Sequence, residues 1–411
     1  MKTNQFFEFF QKINFDTLSA IIFLLALSIF LYSKRDKIKI EKIIGFFIYL
    51  IRYDTTIGIK FMEKISSKYR ELIKLIGYCF IGFGFFGILF VSITLIWQLF
   101  IIILKPKVEE AGVALVLPFT TIPGIGYLSF WYFLISIFIL AIVHEFAHGV
   151  IAKAHGLKIK KTGFAIFGIG LPLLPAAFVE PDEKELKKKS DIIQYSIYAA
   201  GPMANIILAI IVLIPFIFLF IPITNNMTEN VGFSFVLVDE NDVPSKKAGM
   251  INNSIITSIN NIDIKTFSDF RREMLRIKPG EQITIIADDI AYNVNTINHP
   301  EDNNLAYVGI HPSQNEIIIN DKYKGIKSTV FFWFKDLFMW LFLLNLGIGL
   351  MNLLPAGPLD GGHMTRLAFK RLFKNEKTGL KFWKYIGIFF LFVILFMLFT
   401  SYIFNPFSLI F

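Results

Sequence analysis

Residues 128–148 read LSFWYFLISIFILAIVHEFAH, an apolar run that closes on His144-Glu145-Phe146-Ala147-His148. That H-E-x-x-H spacing governs how the rest of the chain is read. On a helix, positions i and i+4 share one face, so His144 and His148 can present two imidazoles to one ion. Glu145 projects about 100° further round the axis. It is near enough to hold a water beside the ion without being drawn into ligation. Two His ligands with a Glu general base are the pattern of a zinc hydrolase. The setting is unusual, because the motif ends a stretch apolar enough for membrane depth, where ionisable groups are costly and functional by default. The plainer alternative is a pair of His and a Glu snorkelling at a helix end.

The chain has 411 residues, 55% of them hydrophobic and 16% aromatic, with a mean hydropathy of +0.59. These values describe a polytopic membrane protein rather than a soluble domain. A net charge of +9 is expected of a basic cytoplasmic face. No basic-aromatic module is visible, so nucleic acid is not an expected partner. The single cysteine, Cys79, excludes an intrachain disulfide and a cysteine-based zinc site. No cleavable signal is expected: the first apolar run lacks a small-residue cleavage site and leads into Lys34-Arg35-Asp36-Lys37.

Six spans are expected, at Asp16–Tyr32, Leu75–Leu104, Leu128–Ala152, Ile192–Ile221, Val330–Leu354 and Phe382–Phe404. The fold class is therefore an α-helical polytopic membrane protein. Residues 1–15 are polar-aromatic, and 33–74 carry eleven Lys/Arg against five Asp/Glu, which reads as an interfacial amphipathic segment. The 105–127 connection is irregular, with Pro106, Pro118, Pro123, Gly124 and Gly126. Thr162 to Val179 is apolar but interrupted by Gly163, Gly168, Gly170, Pro172 and Pro175. It reads as a re-entrant hairpin or loop beside the site, or as an ordinary interfacial loop. The expected organisation is 1–74, first helix and basic segment; 75–225, membrane core with the H-E-x-x-H; 226–327, a soluble α+β insert; and 328–411, the remaining core. Basic loops after spans one, three and five put both termini and the insert outside and the H-E-x-x-H on a cytoplasm-side cavity.

Within the insert, strands are expected at Gly232–Val238, Ser254–Ile259, Gln282–Ala287, Tyr292–Ile297 and Tyr307–Ile310, and a helix at Phe267–Ile277 capped by Thr266 or Ser268. A third ligand is sought about 200 residues beyond the His pair. Asp360 lies in NLLPAGPLDGGH (352–363), where Pro355, Gly357, Pro358, Gly361 and Gly362 unwind the chain and let a carboxylate reach sideways. It is either that ligand or a loop-capping or solvent-facing acid. Two His, one carboxylate and one water complete a catalytic site. His363 reads as a cap or cavity residue, and His155, His299 and His311 as surface residues.

These pieces, HEFAH (144–148), Gly201-Pro202-Met203-Ala204-Asn205 and NLLPAGPLDGGH, together resemble the site-2 protease family of intramembrane zinc metalloproteases. The resemblance implies one zinc ion on His144, His148 and Asp360, Glu145 as general base, and a single-span membrane protein substrate, often already cut once and releasing a transcriptional regulator. Asn205 and Asn352 are candidates for holding the substrate backbone or the developing oxyanion, with helix–helix hydrogen bonding as the alternative for each. Pro244 to Met250 and Asn253 to Asn261 resemble a stretch of PDZ domains, and Gly232-Phe233-Ser234-Phe235 is either a carboxylate-binding loop or a buried strand. The rival readings are a transporter or PDZ-bearing scaffold without proteolysis, and a zinc protease with its site in water.

Overall fold

The structure is a computed structural model that describes residues 15–44, 48–104, 116–122, 125–169, 171–238, 242–300 and 302–404. Residues 1–14, Pro106, Pro123, Gly124 and Gly170 lie outside the described residues, as does the charged connection from Lys105 to Glu110. The helices used below are α1 (Phe15–Ser33), α2 (Ile59–Lys68), α3 (Arg70–Leu104), α4 (Phe130–Ala154), α5 (Asp191–Pro215), α6 (Phe267–Met274), α7 (Ile326–Met351), α8 (Asp360–Leu372) and α9 (Glu376–Phe404). The strands are β1 (Ile38–Ile44), β2 (Ile48–Thr55), β3 (Ile159–Ile169), β4 (Leu171–Pro181), β5 (Thr228–Leu237), β6 (Ile255–Ile259), β7 (Gln282–Ala287), β8 (Ile290–Asn295) and β9 (Ile310–Ile319).

Among the described residues, six helical segments are long and apolar enough to cross a membrane, each within a few residues of an expected span. They are hydrophobic all round, which suits a lipid-facing helix, and large side chains such as Leu25, Phe86 and Phe392 stay exposed on them. The fourth segment is composite: α5 passes through a wide turn, Phe216–Phe220, into a short helix at Ile221–Met227.

The first compact unit holds residues up to Thr121, Tyr127–Phe216 and Lys335–Phe411. At its centre α4 packs on α3 and α5. Two polar clasps hold the ends of α4. At its start, Asp16 of α1 accepts hydrogen bonds from Ser129 Oγ at 2.7 Å, Tyr127 OH at 3.0 Å and the Phe130 amide at 3.0 Å. At its end, Arg70 Nε donates to the Ala154 carbonyl at 3.0 Å, satisfying one of the carbonyls a helix terminus leaves open. Between them, Met62 of α2 fills the notch left by Gly149, and the Phe61 ring lies 5.5 Å from that of Phe146.

The interrupted stretch 162–179 is a β-hairpin, β3–β4, in an antiparallel sheet of order β1-β2-β3-β4. Half of that sheet corrects the expectation for 33–74. Only α2 of that segment is an amphipathic helix; Ile38–Ile44 and Ile48–Thr55 form the antiparallel strand pair β1–β2, and β2 pairs with β3 from Ile48↔Ile169 to Thr55↔Thr162. The alternation Ile38-Lys39-Ile40-Glu41 is a strand signature, and the glycine-rich β3 cannot bury its second edge without a partner. One sheet face carries Lys39, Glu41, Arg52, Asp54, Lys161 and Glu180. Arg52 bonds Glu41 and Glu180, both at 3.1 Å, and lies 4.2 Å over the Phe178 ring. The ammonium groups of Lys39 and Lys161 hold the Asp54 carboxyl down to about 2.

The second unit comprises Ile122–Gly126 and Ile217–Phe334. Its main sheet runs β8-β7-β6-β5-β9 over a core that includes Phe233, Phe235, Ile256, Ile259, Ile283 and Ile285. Thr266 and Asp269 form a capping box at the start of α6. Gly232-Phe233-Ser234-Phe235 is a buried strand and not a loop, with Phe233 and Phe235 fully enclosed. The strand expected at 307–310 is broken at Gly309, where φ is +80°, and the chain resumes as β9.

Candidate metal centre

His144 and His148 lie on successive turns of α4, with Nε2 atoms 3.1 Å apart. Asp360 reaches both: Oδ2 is 3.1 Å from His144 Nε2, and Oδ1 is 3.5 Å from His148 Nε2. The carboxylate does not hang from an unwound loop as expected. It is the first residue of α8, after a run of turns at 352–359. The Gly361 amide donates to the Asn352 carbonyl at 2.8 Å, and a Cβ at Gly361 would overlap the Leu353 carbonyl. The glycine thus lets the chain fold back on itself and deliver Asp360 beside the His pair.

The donor set fits a tetrahedral cation. Metal–ligand bonds of about 2.0–2.1 Å at tetrahedral angles put ligand atoms about 3.3 Å apart; the two Nε2 atoms are 3.1 Å apart, and the carboxylate meets each with a different oxygen, at 3.1 and 3.5 Å. His148 Nδ1 is 2.6 Å from the Ile197 carbonyl. A carbonyl only accepts, so Nδ1 carries the hydrogen and, in the neutral ring that a metal requires, Nε2 turns a bare lone pair toward the cluster. Room for these groups comes from Gly201 of α5, where a Cβ would overlap both Nε2 atoms.

Glu145 stands apart from the cluster. Its Oε2 accepts a hydrogen bond from the Val179 amide of β4 at 2.9 Å, so a strand holds the carboxylate. Asn205 is fully buried on α5, its side-chain amide 3.1 Å from His144 Nδ1, on the side of the ring away from the cluster. Asn352 is half-buried in the turn before Asp360. The His363 ring stacks on Tyr198 at 5.0 Å, outside the three-donor set. His155 corrects its expected surface position: as the residue capping α4 it is buried, 5.6 Å from the Tyr78 ring and 3.4 Å from Ser196 Oγ. His299 is half-buried against Tyr307, and His311 is exposed. Sequence reasoning missed the Ile197 carbonyl and the Val179 amide. Both are backbone groups, and residue identity carries no signal for either.

The packing at Gly201 yields a sharp expectation. Gly201→Ala drives a methyl between the imidazoles and abolishes stoichiometric metal binding while the protein stays folded. Metal content and monodispersity of the purified variant measure this; a folded variant with full metal would mean the helices separate at little cost.

A model described as Peptidase family M50 matches residues 132–394, more than half of the chain. An uncharacterized protein of Methanocaldococcus jannaschii, MJ0971, is 31% identical over 378 residues, which is 89% of this chain and 89% of that protein. Among solved structures, the PDZ domain of an SdrC-like protein from Listeria monocytogenes is 18% identical, covers 20% of this chain and 87% of that chain, and superposes with a TM-score of 0.18, too low to carry an argument about the insert. Six apolar helices, a His–His–Asp donor set and the match over the segment that contains all three donors lead to one assignment: the chain is a multi-pass membrane protein of peptidase family M50, the site-2 protease family.

Proposed function

We propose that the protein is an intramembrane zinc endopeptidase that hydrolyses peptide bonds in the transmembrane segments of other membrane proteins. The observation that carries this reading is the division of labour on one helix turn: His144 and His148 converge with Asp360, while Glu145, between them in sequence, is held off by the Val179 amide. A transporter or scaffold has no use for a non-ligating carboxylate in that place. When bound, zinc supplies Lewis-acid polarisation of a carbonyl and lowers the pKa of water. Glu145 Oε2 takes the proton of the attacking water and passes it to the leaving amine.

A substrate helix has its amides tied up internally and must be extended before attack. β4 pairs with β3 on one side, and the Val179 N–H leaves its other side toward Glu145. Successive strand N–H groups alternate in direction. Ala177 therefore faces the same edge as Val179, whereas the next positions of that series, Pro175 and Pro181, have no N–H to offer. A substrate stretched along this edge by strand addition finds its donor at Ala177, two residues from the Val179 amide that holds the general base. On this reading the β3–β4 hairpin re-enters the bilayer, and Asn352 contacts the substrate backbone or the developing oxyanion.

Glu145→Gln retains zinc and loses cleavage of a membrane-embedded reporter by roughly 10²–10⁴-fold; activity within a few-fold of wild type would sink the assignment. In the same assay, Asn352→Ala lowers kcat with zinc intact, and an unchanged kcat removes Asn352 from the reaction.

The basic loops support an orientation with the 226–320 region outside and the 153–190 segment inside. Single cysteines placed in each, on a Cys79→Ser background, label from opposite sides of the membrane. Labelling of both from one side overturns the topology.

The insert acts as a steric filter that keeps bulky outer domains from the site, so substrates arrive already trimmed. Removing residues 226–320 then allows cleavage of a reporter that keeps its outer domain. A deletion that instead slows cleavage of the trimmed reporter favours peptide recruitment, and one that changes neither rate in folded, zinc-loaded protein rules out both.

A further inference from the structure

Three positions on α5 stand four residues apart, Ile197, Gly201 and Asn205, and so form one stripe on the helix. The two imidazoles on α4 are also four apart. The stripe meets them one for one and in reverse order: Ile197 O lies at His148 Nδ1, Asn205 at His144 Nδ1, and Gly201 leaves the gap between. At His148 the outcome is unambiguous, because the Ile197 carbonyl requires a hydrogen on Nδ1. At His144 the partner is an amide, which has one end that accepts and one that donates.

The two ends have opposite consequences. If Nδ2 faced the ring, Nδ1 would accept, the neutral imidazole would carry its hydrogen on Nε2, and that hydrogen would point into the space shared with His148 and Asp360. The amide oxygen would then sit in the core with no donor; Asn205 Oδ1 is fully buried and has no partner in that orientation. If Oδ1 faces the ring at the same 3.1 Å, Nδ1–H donates to it and Nε2 is left bare like that of His148. The ends of an amide are nearly isosteric; turning it leaves Nδ2 where the unpartnered oxygen stood, so what separates the two orientations is the bare Nε2 that only the second gives.

We infer that Asn205 is a positioning residue whose side-chain oxygen accepts the Nδ1 hydrogen of His144, fixing that ring in the form that binds a cation through Nε2. It acts through His144, on the side of the ring away from the reacting atoms. The inference rests on the metal reading proposed above.

The test separates an acceptor from a donor at position 205. Asn205→Asp keeps the shape and, as the carboxylate, can only accept. Asn205→Leu keeps the volume and does neither, and Asn205→Ala is a second truncation should the larger side chain disturb folding. Each purified protein is titrated with zinc against a competing chelator, and its cobalt-loaded form is read by visible absorption, which reports four-coordinate geometry. Asn205→Asp binds zinc within a few-fold of wild type and keeps the cobalt spectrum; Asn205→Leu and Asn205→Ala bind about 10- to 100-fold more weakly, the usual cost of losing a partner behind a His ligand. If Asp weakens binding as much as Leu in folded protein, the amide donates and the inference is wrong. Unchanged affinity in Leu and Ala overturns it too. Wild-type protein that takes up no zinc fails the metal reading itself, and this inference with it.

Discussion

The close approach of α4 and α5 at Gly201 is the contact on which the centre depends. Two imidazoles in an apolar interior need their polar atoms satisfied on both sides. The missing side chain lets a backbone carbonyl and an amide reach the outer nitrogens while Asp360 arrives at the inner ones. A wider helix spacing would leave Nδ1 of each ring unsupported and Nε2 of each ring undirected. Packing distance and ligand chemistry are thus one constraint, set by a residue that contributes no functional group.

The sheet solves a related problem for Glu145, the proposed general base. Glu145 lies one residue from a ligand and must be kept from becoming one. The Val179 amide does this, but only because β4 is held in register by β3, and β3 by β2. The Arg52 guanidinium ties the end of β4 back to the β1–β2 strand pair through Glu180 and the face of Phe178. A segment far from the motif in sequence, and outside the stretch that matches the family, therefore supports the position of Glu145.

The helical half of the architecture was legible because it rests on composition and period, and each expected span lies within a few residues of an observed helix. The residues of the His–His–Asp cluster were legible as residue types at a spacing. What escaped were arrangements that depend on a distant partner. Residues 38–41 alternate as a strand should, yet the basic charge of 33–74 pointed to an interfacial amphipathic segment, and only the edge of β3 tips the balance. His155 carries no local sign of burial; the ring of Tyr78 from α3 encloses it. Asn205 was recognised as a polar group at depth, but its direction, toward His144 and away from the substrate side, is a property of helix packing and not of the Gly-Pro-x-x-Asn pattern.

The hydrogen bond from Arg70 to the Ala154 carbonyl also sets a depth gauge. A guanidinium and the neighbouring Lys153 mark where α4 leaves the apolar layer. His148 lies six residues back from Ala154 and His144 ten, or about 9 and 15 Å along the axis. Against a hydrocarbon layer of about 30 Å, the reacting centre falls between a third and a half of the way across from the basic side. If the proposed function holds, a helix cut there exits as two unequal stubs. The shorter, two to three turns long, is below the length that holds a peptide in a bilayer, so it leaves for the aqueous phase without further help, while the longer stays behind.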